Sequence, residues 1–164
     1  MKLHAMAAFS ILLPISPALA TDKPPDPAAA VKALVEIDAY RAIDLGPDAG
    51  SPAAVMFSPA FLADWREGWA RAAAAKANLL DGDIVTRGQS VKTMALRSVV
   101  LDAATAATAN VTARISVSDT DTLPASAMTV RFKLVRTGET WTVDDIQPAG
   151  PANPSPSLRA LMTR

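Results

Sequence analysis

The chain has 164 residues, half of them hydrophobic, with 16 basic and 16 acidic side chains, no cysteine and a single histidine. The balanced charge leaves no electrostatic case for nucleic acid or an anionic membrane surface as partner. Without cysteine there are no disulfides, and with His4 as the lone histidine everything after it lacks Ser-His-Asp and Cys-His nucleophilic sites, His-ligated metals and His general bases.

Met1-Lys2-Leu3-His4 is a short basic start, Ala5 to Ile15 is an apolar run, and Ala18-Leu19-Ala20 matches a small-x-small cleavage pattern. Together they read as a secretory signal peptide, residues 1–20, cut after Ala20. The run is short for a membrane span, and Pro14 and Pro17 interrupt its end. The expectation is therefore a periplasmic or secreted protein with no stable membrane anchor after processing. An uncleaved N-terminal anchor is the alternative. Loss of Lys2 leaves one net negative charge. Residues 21–27 are polar and Pro-rich and read as a disordered leader. Residues 28–164 suit a single domain with a Pro-rich C-terminal tail.

Asp26-Pro27 has the form of an N-cap followed by proline at the first helical position. The helix is expected to run to about Ile43, with Ala30, Ala33, Leu34, Ile37 and Tyr40 on one stripe. Turn residues from Leu45 to Pro52 break it. Ser58-Pro59 repeats the cap-then-proline signature. The second helix, Ala60 to about Asn78, places Phe61, Leu62, Trp65, Trp69 and Ala72/Ala73 on one face and Asp64, Arg66, Glu67 and Arg71 on the other. Its alanine run, Ala72 to Ala75, predicts close approach by another element. Asp81-Gly82-Asp83 in the connector 79–90 superficially suggests the start of a calcium loop. No further acids follow at the required spacing and no Glu closes it, so a polar turn is the reading.

From Val91 the period switches to two. Val91 to Asp102 reads as a first strand, 103–107 as a turn, and Val111, Ala113, Ile115 and Val117 as the inward side of a second strand. Met128, Val130, Phe132 and Leu134 alternate with Thr129, Arg131 and Lys133. Thr137-Gly138-Glu139 supplies a turn, and Trp141, Val143 and Ile146 return. That hairpin is expected to end on Asp144-Asp145. Ser157 to Met162 reads as a last helical turn, with Leu158 and Leu161/Met162 packing back. Two helices followed by consecutive antiparallel strands argue an α+β fold with N-terminal helices packed on a curved antiparallel sheet.

The order helix, Ser58-Pro59-x-Phe61-Leu62, acidic connector with Gly88-Gln89, alternating strands, Trp141-Thr-Val-Asp-Asp-Ile146, then Ser157-Leu158-Arg159-x-Leu161 resembles bacterial exported proteins of domain-of-unknown-function family 3828, in the nuclear transport factor 2-like superfamily. The resemblance spans roughly Ala28 to Met162 and is most specific in the last two motifs. It implies a cone-shaped α+β domain around a mostly apolar pocket and no settled activity. Ile84-Val85-Thr86 departs from the pattern, where proline and an aromatic residue are expected, and this bears on the rim of the pocket.

Three functional readings are open. The first is a non-enzymatic binding or interaction domain, for an apolar small molecule or a periplasmic protein. Tyr40, Trp65, Trp69 and Trp141 are then candidate ligand-binding residues, set against a plain aromatic core. Arg114, Arg131 and Lys133, with Arg136, are a candidate interaction face, set against an ordinary solvated surface. The second is a small cofactor-free enzyme of the isomerase or hydratase type, using Tyr40 with a nearby acid. Asp44 lies at i+4 from Tyr40, whereas Asp38 points off its face. The third is an immunity-type inhibitor of a cell-wall hydrolase. Asp144 and Asp145, as strand neighbours, face opposite sides and cannot share a proton unless a bulge intervenes. One of them held by an arginine or backbone partner is the reading preferred. No cofactor or metal is expected, and a homodimer is an expectation by fold analogy.

Overall fold

The computed structural model describes residues 25–41, 43–80, 82–87, 91–118, 126–149 and 155–164; of Tyr40 and Arg41 it describes the backbone alone. The expected signal peptide, the first part of the leader (residues 21–24), Asp81, Gly88-Gln89, the 119–125 turn and residues 150–154 of the tail lie outside the described residues. Among the described residues no helix is long and apolar enough to cross a membrane.

The elements are α1 (Pro27–Arg41), a 3-10 turn (Pro52–Met56), α2 (Pro59–Ala74), β1 (Thr93–Ala104), β2 (Thr108–Ser118), β3 (Ser126–Thr137), β4 (Thr140–Ala149) and a short α3 (Leu158–Met162). Each helix start follows from a side-chain cap, because the first backbone N–H groups of a helix have no partner within it. The Asp26 carboxylate accepts from Ala28 N at 2.9 Å, the Ser58 hydroxyl from Phe61 N at 2.9 Å and the Ser157 hydroxyl from Ala160 N at 3.2 Å. The first two caps are the ones legible in Asp26-Pro27 and Ser58-Pro59. Helix α2 stops at Ala74, short of Asn78, where Lys76 takes a φ of +54° and Ala77 N donates back to Ala72 O at 2.9 Å. A left-handed residue after the last turn redirects the Lys76 and Ala77 N–H groups onto the Ala73 and Ala72 carbonyls and ends the helix.

The four strands form one open antiparallel sheet in the order β1-β2-β3-β4. Val111, Ala113, Ile115, Val130, Phe132 and Leu134 are buried on the face the helices cover, as their alternation requires. Strand β4 does not stop at the paired acids. It continues to Ala149, pairing Pro148 with Val130. A proline is tolerated there because β4 is an edge strand. The β3–β4 turn places Gly138 at a φ of +62°, a value its lack of Cβ makes accessible.

Helix α1 lies across β1, β2 and β4, while α2 packs on α3 and on the edge of β4. That edge is closed further by a parallel bridge between Phe57 and Val143 and by Ser58 N donating to Val143 O at 2.8 Å. Phe57, Phe61, Trp65 and Trp69, four residues apart, form a ring ladder with centroid separations of 4.8, 6.1 and 6.1 Å. The close approach expected at the alanine run occurs instead at Gly68. A Cβ there would meet Leu79 methyls at 3.1 and 3.2 Å and the Met162 Cβ at 3.2 Å. The alanines mostly face solvent.

The stripe expected on α1 is displaced. The buried positions are Pro27, Val31, Leu34, Val35 and Asp38, whereas Ala33 and Ile37 are exposed. A carboxylate at the end of the stripe serves the chain reversal: Asp38 Oδ1 accepts from Ile43 N at 2.7 Å. Pro25 to Pro27, assigned to the leader by composition, belong to the fold, because the Trp141 indole donates to Pro25 O at 2.8 Å.

Candidate functional site

Three groupings carry chemistry. The first is a cleft of about 180 Å³ where α2 faces the 43–46 and 80–84 segments, lined by Ile43, Asp44, Leu45, Trp65, Trp69, Leu80, Gly82 and Ile84. The structure brings Trp65 and Trp69 together here. Trp65 is 3% exposed, and its indole donates to Gly46 O at 2.6 Å, so it builds the wall. The Trp69 indole N–H is buried and has no acceptor among the described residues. Trp141 does not line this cleft; it pins the start of α1 to β4. The Tyr40 side chain lies outside the described residues. Asp44 lines the cleft and accepts from Gly46 N at 2.8 Å.

The second grouping is a carboxyl pair that sequence reasoning missed. Asp38 is 3% exposed, and its second oxygen has no donor among the described residues. Burial, then the charge of Asp83, push its carboxyl up to about 7, against the opposing hydrogen bond from Ile43 N. Asp83 is held by the turn that follows it. Its Oδ1 accepts from Val85 N at 3.0 Å, Thr86 N at 2.6 Å and the Thr86 hydroxyl at 2.7 Å. Three donors fix the Asp83 carboxylate in place beside Asp38. The signal in the sequence was the template Val31, Leu34, Val35, Asp38, which is an i, i+3, i+4, i+7 stripe ending in an acid. Asp83 also resolves the aborted calcium-loop pattern: its carboxylate caps the turn at 84–86.

The third grouping joins the two most specific motifs of the chain. The pairing Lys133↔Asp145 followed by Leu134↔Val143 leaves Asp144 as an extra, bulged residue. The bulge lets both carboxylates reach Arg159, which strict alternation would have forbidden. Asp144 Oδ2 accepts from the Arg159 guanidinium at 2.9 Å, Asp144 Oδ1 from the Ser58 hydroxyl at 2.7 Å, and Lys133 Nζ lies 3.4 Å away. Asp145 Oδ1 accepts from Arg159 N at 3.0 Å, and Asp64 closes the other side of the guanidinium at 2.5 Å. Burial alone would raise the Asp144 carboxyl, but the Ser58 hydrogen bond and the Arg159 and Lys133 charges outweigh it and hold it below the usual carboxylate value. Burial likewise works against the Arg159 charge, and Asp64 and Asp144 more than offset it. Asp144 and Asp145 thus form a clasp among α2, β4 and α3.

The uncovered face of the sheet carries Arg114, Arg131 and Lys133, all exposed. Arg114 and Arg131 have no ion pair among the described residues, while Lys133 is engaged with Asp144. Arg136 does not belong to this row. Val130, Phe132 and Leu134 face the core, and Arg136 follows their parity; its Nε donates to Gly138 O at 3.3 Å. Around Arg131 and Lys133 lies a shallow cleft of about 250 Å³, bordered by Asp102, Asn110, Asp145 and Gln147. Its acids are committed, Asp102 to the Thr112 hydroxyl at 2.6 Å and Asp145 to α3. Among the described residues no group of three or more His, Asp or Glu side chains is arranged to hold a metal. No family model matches the chain, and comparisons with curated proteins and with solved structures give no match.

Proposed function

We propose that this is an exported, non-enzymatic interaction domain that binds an anionic partner through the open face of its sheet. The observation that carries the reading is the pair Arg114 and Arg131, exposed and without ion pairs among the described residues, beside a shallow cleft whose acids are already hydrogen-bonded. Export rests on the Met1–Ala20 pattern. The finer fold reading, a nuclear transport factor 2-like cone related to family 3828, rests on the motif residues of β4 and α3 and on α1 lying across one face of the sheet. An immunity-type inhibitor of a cell-wall hydrolase is a narrower form of the same reading, with the hydrolase as the acidic partner.

The test is amide chemical-shift mapping with a polyglutamate peptide as probe. Shifts are expected in 110–114, 129–133 and 145–147, weakening with added salt because exposed charge pairs are screened. The double variant Arg114→Glu/Arg131→Glu should abolish them. Absence of shifts in the wild type, or shifts that survive the double variant, overturns the reading.

A second reading is favoured by one observation, the Trp69 N–H without an acceptor at the Trp65–Trp69 cleft. It makes that cleft a site for a small molecule that offers the indole an acceptor, and the neighbouring Asp38, whose carboxyl is pushed up to about 7, keeps isomerase- or hydratase-type chemistry within this reading. The volume of about 180 Å³ is below the usual range for drug-sized ligands, so a small occupant is implied. Titration with indole derivatives should shift the 43–46, 65–69 and 82–85 amides under this reading and leave them unmoved under the first.

A further inference from the structure

The two edges of the sheet are treated differently. Phe57, Ser58 and α3 close the β4 edge. Nothing among the described residues pairs with the outer edge of β1. Two adjacent large hydrophobics are exposed there, Val100 at 55% and Leu101 at 44%, of only four such residues among those described. An open strand edge with apolar side chains is a template for another strand.

Strand β1 has a second peculiarity. Its register with β2 skips twice, between Leu96 and Ser98 and between Leu101 and Ala103. Arg97 and Asp102 are therefore the bulged residues. They bracket a regular window, Ser98 to Leu101, and carry opposite charges. Both side chains lie on the open face: Arg97 Nε donates to the Ser116 hydroxyl at 2.7 Å, and Asp102 accepts from the Thr112 hydroxyl at 2.6 Å. Val99 and Leu101 pair with buried Ala113 and Val111, so they share the helix-covered face, while Ser98 and Val100 share the open one.

We propose that β1 pairs antiparallel with β1 of a second copy, about a two-fold axis perpendicular to the sheet at Val100, so that two four-stranded sheets become one. Cross-strand neighbours must share a face, and this register satisfies that at each position in the window. Val100 meets the second copy's Val100, and Val99 meets the second copy's Leu101. Ser98 meets the second copy's Asp102, with Arg97 one place further on, within diagonal reach of that carboxylate. A parallel in-register pairing would set Arg97 against Arg97. Charges and bulges commonly blunt an edge, but here their signs are complementary under the two-fold. They also limit pairing to the short window, and each copy uses its one open edge, so association closes at two copies. The inference does not depend on what the basic face binds, although pairing would place two copies of the Arg114/Arg131 row on one continuous surface.

Sedimentation equilibrium across micromolar to millimolar concentrations tests it. The wild type is expected to dimerise reversibly. Val100→Asp and Val100→Lys should each weaken dimerisation by about tenfold or more, a cost of about 1.4 kcal/mol, with far-UV circular dichroism unchanged because the position is exposed. Arg97→Asp and Asp102→Arg should each weaken the dimer, and the double exchange should restore it. A wild type that stays monomeric throughout, or a dimer indifferent to both Val100 variants, overturns the proposal. Single charge reversals without effect, or no recovery in the double variant, overturn the proposed register.

Discussion

Replacing Asp38 with asparagine removes one proton-binding group from the core and leaves the shape nearly unchanged. The amide oxygen can still accept from Ile43 N, as the carboxyl does. The wild-type carboxyl is raised from 3.8 to about 7 in the fold, so the folded protein holds a proton that the unfolded chain has already released. The sign follows: stability from this group is fully present below 3.8 and is lost as pH rises toward about 7. Each pH unit in that window costs up to about 1.4 kcal/mol. Over the whole window the loss approaches roughly 4 kcal/mol, a large share of the usual 5–15 kcal/mol stability of a domain. Urea unfolding at successive pH values from 4 to 8 measures it. The wild type should weaken steadily with pH, and Asp38→Asn should be nearly flat, matching the wild type near pH 4 and exceeding it by a few kcal/mol at pH 8. Parallel curves for the two proteins, or a variant less stable at pH 8, would refute the assignment of the proton to a buried Asp38.

Arg159→Met should destabilise the fold by about 2–4 kcal/mol, since it leaves Asp144 buried with Ser58 and the partly exposed Lys133 as its remaining partners. The Asp144 carboxyl lies below its ordinary value, so its contribution is present above 3.8 and is lost as pH falls. Acid unfolding of Arg159→Met, followed by tryptophan fluorescence, should therefore begin at higher pH than in the wild type; an unchanged acid midpoint would remove Arg159 as the cause. Gly68→Ala sets two effects of opposite sign against each other. Helix propensity favours alanine by about 1 kcal/mol, and overpacking against Leu79 and Met162 costs typically 1–3 kcal/mol. Because the Met162 Cβ is not the free end of a flexible side chain, a lower thermal midpoint is expected, and a higher one would show that α3 moves aside without penalty.

Local physics was legible in the residues themselves. Capping oxygens at Asp26 and Ser58, the period-two strands and the Gly138 turn each depend on a few neighbours in the chain, and their side chains announce them. The composition alone removed histidine and cysteine chemistry from all but the first residues, and the alternation of β3 placed Arg131 and Lys133 opposite the core. What stayed hidden depends on distant segments meeting. Asp38 was set aside because, two positions from Tyr40 on a helix, it points off the Tyr40 face, and its burial became visible once the 83–86 turn and the Ile43 N–H were brought to it. The bulge at Asp144 arises from a register skip against β3, and no spacing within β4 reports it. With the skip, two neighbouring acids turn to one arginine from α3, and the hairpin joins the C-terminal segment to α2. The succession of helices and strands along the chain was therefore written in the local pattern, whereas the clasp, the raised carboxyl and the unpaired edge of β1 among the described residues were decided by tertiary packing, because each is a statement about which distant groups meet.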